Sequence, residues 1–185
     1  QELIAWGATF DKIGSQFAAV LEGAHTKNRI LRAQGDATGA EIVRTLVEKA
    51  RKIPNLQLLV NHFAIDLIIE QGERPLRGVC KGAYILDQQA NTTYSILAKG
   101  VIMATGGAGH VFSRTTNPAV ATGDGIAMAI RAGAAVSDME FVQFHPTSLL
   151  LPGAPPFLLS EAMRGEGALL RNSDDKLFMA AYHPD

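Results

Sequence analysis

Ala98-Lys99-Gly100-Val101-Ile102-Met103-Ala104-Thr105-Gly106-Gly107 reads as a buried strand running into a glycine turn. Four apolar residues in succession leave no polar face for solvent. Upstream, the apolar runs at 56–60, 64–70, 78–87 and 93–103 read as strands. The polar clusters Gly72-Glu73-Arg74-Pro75 and Gln88-Gln89-Ala90-Asn91 are the turns between them. Downstream, residues 123–135 are predicted to form a helix of small residues. Strands and helices interleave, so the class is α/β or α+β.

Toward the N-terminus the strongest helix signal covers residues 38–50. Thr38-Gly39-Ala40-Glu41 has the spacing of a capping box, in which the first and fourth side chains bond each other's backbone N–H. Ile42, Val43, Leu46, Val47 and Ala50 then recur at helical spacing, and Pro54-Asn55 closes the segment. Residues 23–37 read as a loop. Residues 1–22 show no clean period, with Trp6, Phe10, Phe17, Val20 and Leu21 available to cover a core. After Asp138 the texture shifts to Phe, Leu and Pro, with a stiff loop at Pro152-Gly153-Ala154-Pro155-Pro156. Residues 157–170 are predicted to be a helix interrupted by Gly165 and Gly167. This shift places a domain boundary between residues 138 and 139. The chain starts at Gln1 and stops at the turn-like His183-Pro184-Asp185, and is expected to be an internal piece of a longer polypeptide.

Composition removes several classes. With 17 Lys+Arg against 18 Asp+Glu, the 185-residue chain carries no electrostatic footprint for nucleic acid or anionic lipid. No apolar run approaches the roughly 18 residues a membrane span needs. Neither nucleic acid nor membrane is expected as a partner. The single cysteine, Cys80, excludes an internal disulfide and fits a reducing cytoplasm. His25, His62, His110, His145 and His183 are scattered without metal-ligand spacing, so no metal site is expected. G-x-S-x-G is absent, which argues against a serine hydrolase.

Three motifs can carry chemistry. In Thr105-Gly106-Gly107-Ala108-Gly109, glycines let backbone approach a phosphate or a flat cofactor, and turn amides bind anions. By itself this reads more readily as an ordinary turn. In Gly123-Asp124-Gly125, Asp124 reads equally as a helix cap or a ligand contact. The second motif is Glu140-Phe141-Val142-Gln143-Phe144-His145-Pro146-Thr147 with Ser160-Glu161-Ala162-Met163-Arg164-Gly165-Glu166-Gly167. Its imidazole, amide and hydroxyls are the equipment for a small anionic substrate. Glu161 and Arg164 share a helix face, and spacing alone favours a surface ion pair over a proton relay. The third is Glu22-Gly23-Ala24-His25, where Glu22 by itself reads as an exposed loop carboxylate.

Together these blocks, with Thr116-Asn117-Pro118, resemble the succinate dehydrogenase / fumarate reductase flavoprotein family over residues 23–170. Within it the pattern is most similar to the aspartate-oxidising branch. The discriminating piece is Leu21-Glu22-Gly23-Ala24-His25, ahead of Arg29-Ile30-Leu31 and Gly35-Asp36-Ala37-Thr38-Gly39. The succinate and fumarate enzymes lack an acidic residue matching Glu22. Aspartate differs from their four-carbon substrates by an ammonium group, and a buried cation needs a carboxylate partner.

The resemblance implies an α/β fold holding part of an FAD-binding Rossmann-like domain (1–138, without its first βαβ unit) and the start of a substrate-capping domain (139–185). It implies noncovalent FAD, with Asp124 matching a cofactor-contacting position and Ala64, Thr105 and Gly106 passing close as backbone. It implies a substrate wall of Gln143, Phe144, His145, Thr147 and Ser160, with Glu22 on the amine and Glu161 and Arg164 as proton relay. Ser160 stands where relatives often carry Thr, and Lys27-Asn28 where they often carry His-Arg or Arg-Arg. A principal catalytic Arg is expected beyond Asp185. The implied reaction oxidises L-aspartate to iminoaspartate by hydride transfer from Cα to flavin, reoxidised by oxygen or fumarate. It would feed quinolinate and NAD synthesis in the cytoplasm, with a functional link to quinolinate synthase. These 185 residues alone are expected to be inactive. Alternatives are a succinate dehydrogenase or fumarate reductase flavoprotein subunit, and a noncatalytic binding fragment.

Overall fold

In the computed structural model, which describes residues 1–22, 25–72 and 78–182, the elements run in the following order. First come α1 (Glu2–Ala5), the short strands β1 (Lys12–Ile13), β2 (Gln16–Phe17), β3 (Ala19–Val20) and β4 (Ile30–Leu31), and α2 (Thr38–Arg51). Then follow β5 (His62–Gln71), β6 (Gly78–Asp87), β7 (Thr92–Leu97), α3 (Asp124–Arg131), β8 (Ser148–Leu149), β9 (Phe157–Leu158) and α4 (Glu161–Gly165). Residues 23–24, residues 73–75 of the turn read at 72–75, and His183-Pro184-Asp185 lie outside the described residues. The chain divides into two units, Gln1–Leu58 with Leu159–Asp185, and Leu59–Leu158. The residue-138 boundary read from composition lies within the second.

In the first unit, α2 forms where the apolar period placed it and ends before Pro54. The capping box does not form. Ala37 is the N-cap without a side-chain bond, and Thr38 Oγ1 instead accepts from Ala33 N at 3.2 Å. Glu41 turns away from the helix start because stronger partners lie elsewhere. Its Oε1 accepts from Thr9 N at 2.6 Å and from Thr9 Oγ1 at 3.0 Å. Arg44 donates to both its oxygens, at 2.7 and 2.8 Å, and to Gly7 O at 2.9 Å. This buried carboxylate fastens residues 7–9 to α2. Beneath it the fully buried Thr45 donates its hydroxyl to Glu41 O. Residues 23–37, read as a loop, contain β4, which pairs antiparallel with β3 (Ala19↔Leu31, Val20↔Ile30). Phe10 and Phe17 meet edge to face, and the Lys49 ammonium lies over Trp6.

In the second unit, β5, β6 and β7 form an antiparallel meander. Ala64 faces Ile85, and Ile85 faces Tyr94. The register slips between Ala64 and Asp66, a local irregularity of the kind that re-aims side chains. Arg131, at the end of α3, donates from Nε to Asp66 Oδ2 at 2.9 Å and ties that helix to β5. Met128 on α3 and Ala121 are buried here.

Four expected elements differ. Residues 56–60 are coil, and β7 ends at Leu97, so the 98–103 segment is not a strand and is exposed; Ile102 is 95% accessible. A strand exists only through an inter-strand ladder; Ala98 N still donates to Lys81 O at 2.8 Å, but no described residue pairs with 99–103 or with 56–60 in a ladder. The helix read over 157–170 is confined to α4. Its first residues pair as β9 with β8 across the Pro/Gly loop, Ser160 caps the start, and Gly165 ends it. The small-residue helix likewise shrinks from 123–135 to α3.

Candidate active site

The second unit interlocks two glycine motifs. Gly125, buried in the first turn of α3, lies directly against Thr105. A Cβ at Gly125 would overlap Thr105 Oγ1, so the absence of a side chain lets the 105–109 turn seat on the helix start. Asp124 is not the cap. Gly123 is, and Asp124 occupies the first helical turn, where a carboxylate complements the positive end of the helix dipole. Around Gly106 and Gly107 there is open space, and the backbone of residues 99–107 makes no hydrogen bond among the described residues. Such a strip of unpaired amides and carbonyls beside a side-chain-free turn fits a flat or phosphorylated cofactor. Ala64, half-buried on β5, belongs to the same unit.

A cavity of about 230 Å³ lies in this unit, and Gln143, Phe144 and His145 line it together with Phe112, Arg114 and Asn117. Phe144 packs edge-on to Phe112, with ring centroids 5.1 Å apart. Thr147 orients His145: Nδ1 lies 2.8 Å from Thr147 O and 3.2 Å from Thr147 N. One ring nitrogen cannot serve both in one neutral tautomer. Accepting from Thr147 N leaves Nε2–H as a donor, and donating to Thr147 O leaves Nε2 an acceptor unless the ring is protonated. Both the first tautomer and the imidazolium present an N–H that can hold a carboxylate.

Arg114 was not singled out from the sequence. The signal for it was present: no acidic residue occurs between Asp87 and Asp124, so no sequence neighbour can neutralise the guanidinium.

The remaining expected site residues, Glu22, Ser160, Glu161 and Arg164, belong to the first unit. Ser160 Oγ accepts from Ala162 N at 3.2 Å, which leaves its O–H free to donate. Arg164 Nη2 bonds Glu161 Oε1 at 2.7 Å, with both side chains partly exposed. Arg164 Nε is buried without a partner, as is His25 Nδ1. A buried guanidinium N–H with no acceptor is a standing invitation to an anionic group. Glu22 is half-buried just past β3, and its carbonyl accepts from His25 N at 3.0 Å. Gly165 packs on the Leu21–Glu22 backbone, so the structure brings that segment against the helix carrying Glu161 and Arg164.

Among the described residues no cluster of three or more His, Cys, Asp or Glu could hold a metal ion. No described helix is long and apolar enough to cross a membrane.

Comparison with known proteins places these features in context. A family model described as an FAD binding domain matches residues 1–185. The chain is 47% identical over 184 residues to L-aspartate oxidase of a Nostoc species, covering 100% of this chain and 31% of that protein. It is 51% identical over 167 residues to L-aspartate oxidase 1 of Ralstonia nicotianae (90% and 31% covered). It is 45% identical over 193 residues to the chloroplastic L-aspartate oxidase of Arabidopsis thaliana (98% and 29%). The chain therefore spans about a third of the length of the curated relatives it matches. Among solved structures it superposes on a quinol–fumarate reductase with menaquinol molecules, at a TM-score of 0.87 and 32% identity, over 100% of this chain and 30% of that one. An E. coli quinol fumarate reductase gives 0.80 at 32% identity, over 95% and 28%.

Proposed function

Because the chain belongs to the FAD binding domain family, we propose that the complete protein carrying it oxidises L-aspartate to iminoaspartate. Noncovalently bound FAD would supply the acceptor for the hydride from Cα, with oxygen or fumarate as the terminal oxidant. Thr105, Gly106, Ala64 and Asp124 approach it from this chain. His145 and Ser160 each present a donor to a substrate carboxylate, Phe144 and Thr147 shape the wall, and Gln143 stands near the reacting carbons. Glu161 and Arg164 carry proton traffic in the fumarate-reducing direction. Residues 1–138 then belong to the cofactor domain and 139–185 to a substrate cap. The product would feed quinolinate formation, with a functional link to quinolinate synthase in the cytoplasm.

One observation carries the choice of substrate: Glu22 is a half-buried acidic residue on a segment whose backbone packs against α4. A substrate ammonium drawn out of water requires such a partner. A succinate or fumarate enzyme has no substrate cation for a carboxylate there to meet. That second reading is favoured only by the likeness to fumarate reductases.

Steady-state oxidation of aspartate and succinate by the complete, FAD-loaded protein decides between them. A hydrogen bond to a charged group is worth about 1.5–3 kcal/mol, so Glu22→Gln should lower aspartate kcat/KM by roughly 10- to 150-fold. Succinate turnover unaffected by Glu22→Gln, with no aspartate activity in the wild type, would sink the assignment.

A further inference from the structure

We propose that Gly165 is a positioning residue for Glu22, holding the backbone on which the aspartate-selective carboxylate is mounted; this rests on the reading of Glu22 given above. A Cβ at Gly165 would overlap Leu21 O and would lie 3.2 Å from both Leu21 C and Glu22 Cα. All three are main-chain atoms, so no side-chain rotation can relieve the contact.

The Leu21–Glu22 segment is also pinned on either side. Val20 pairs with Ile30, and Val20 O accepts from Arg29 N at 3.2 Å. Glu22 O accepts from His25 N at 3.0 Å. A methyl at 165 must therefore move the whole Glu22 unit or displace α4.

The α4 side is no freer. Ser160 anchors its start through Ala162 N, and the Glu161–Arg164 pair braces its exposed face. The contact thus sets the Glu22 backbone directly on α4, with no Cβ between them. Since ordinary carbon contacts need about 3.5–4.0 Å, relief of the overlap requires displacement of several tenths of an ångström or more. Misplacing a substrate-orienting group by about 1 Å can cost on the order of 100-fold in rate.

The test uses the complete, FAD-loaded protein and reads aspartate kcat/KM beside the inhibition constant of succinate, which has no ammonium for Glu22 to meet. Gly165→Ala should lower aspartate kcat/KM by roughly 10- to 100-fold while the succinate constant moves less than about threefold. In a Glu22→Gln background the same substitution should add less than about threefold, because the group it displaces is already disabled. Equal weakening of both ligands, or effects that simply multiply with Glu22→Gln, would overturn the proposal. If Gly165→Ala does not yield flavin-loaded protein, Leu21→Gly frees the same backbone without adding an atom and is judged by the same criteria. A Glu22→Gln variant with unchanged aspartate turnover defeats the specificity reading and the Gly165 role together. A selective Glu22→Gln loss beside an unaffected Gly165→Ala defeats the Gly165 role alone.

Discussion

Gly125→Ala probes the seat of the 105–109 turn. Besides overlapping Thr105 Oγ1, the new methyl would sit 2.6 Å from Thr105 Cβ and 2.9 Å from its Cγ2. Rotating Thr105 about χ1 cannot clear both γ atoms, because two of its three staggered positions are blocked, and Cβ is fixed to the backbone. Against an ordinary contact of about 3.5–4.0 Å, the turn must back away by about 1 Å. Overpacking of this kind costs about 1–3 kcal/mol, of which better helix propensity at position 125 returns up to about 1 kcal/mol. If Thr105, Gly106 and Asp124 face FAD, the displacement appears in cofactor affinity, where 1–3 kcal/mol is roughly 5- to 150-fold in Kd. The assay is titration of the complete apoprotein with FAD, followed by flavin fluorescence, with thermal unfolding of the apo form alongside. Thr105→Gly removes the obstructing Cβ, so adding Gly125→Ala to it should cost less than about threefold. Effects that stay additive within about 0.5 kcal/mol would mean the two residues do not clash. A lowered Tm with unchanged FAD affinity would place the turn away from the cofactor.

Two further outcomes follow from side chains described above. The Arg44 guanidinium, then the Thr9 N–H, hold the Glu41 carboxyl at about 2 against an ordinary 4.5. The native state therefore gains stability from Glu41 that is fully present above pH 4.5 and lost as pH falls from there toward 2. Glu41→Gln should lower Tm at pH 7 and converge on the wild type by pH 2–3; an equal deficit at both pH values would show that ionisation is not the cause. At His145, a Gln amide can place a donor where Nε2 stands and an Asn amide where Nδ1 stands. Substrate KM should thus rise less in His145→Gln than in His145→Asn, and the reverse order would put the working nitrogen at Nδ1.

The elements legible in the sequence were those that carry their own instructions. The 3.6-residue period of Ile42, Val43, Leu46 and Val47 needs only water on one side to declare α2. The runs that became β5 and β6 were bounded by turn residues at Gly72 and Gln88, and the two strands pair with each other. Residues 56–60 and 98–103 have the same apolar texture, but texture cannot say which strand will pair with them. Glu41 shows another limit. Its spacing from Thr38 satisfies the capping-box rule, yet the partners that won, Thr9 and Arg44, include one 32 residues away. The site divides along the same line. Gln143, Phe144 and His145 were legible because they are contiguous in sequence. Arg114 joins them only through folding, and the Gly165 contact with Leu21 and Glu22 joins the two ends of the chain.

The β5–β6–β7 meander also bears on the order in which the molecule assembles. Each strand pairs only with its neighbour in sequence, so each loop closed is short and its entropic cost small. Contacts of that kind form early, before distant segments have found one another. Synthesis runs from the N-terminus, so the meander is complete before Thr105, Gly106 or Asp124 has left the ribosome. The glycine turn and α3 then dock onto a strand system already in place, with Asp66 waiting on β5 for Arg131. The meander is, on this account, the template on which the glycine turn and α3 are laid.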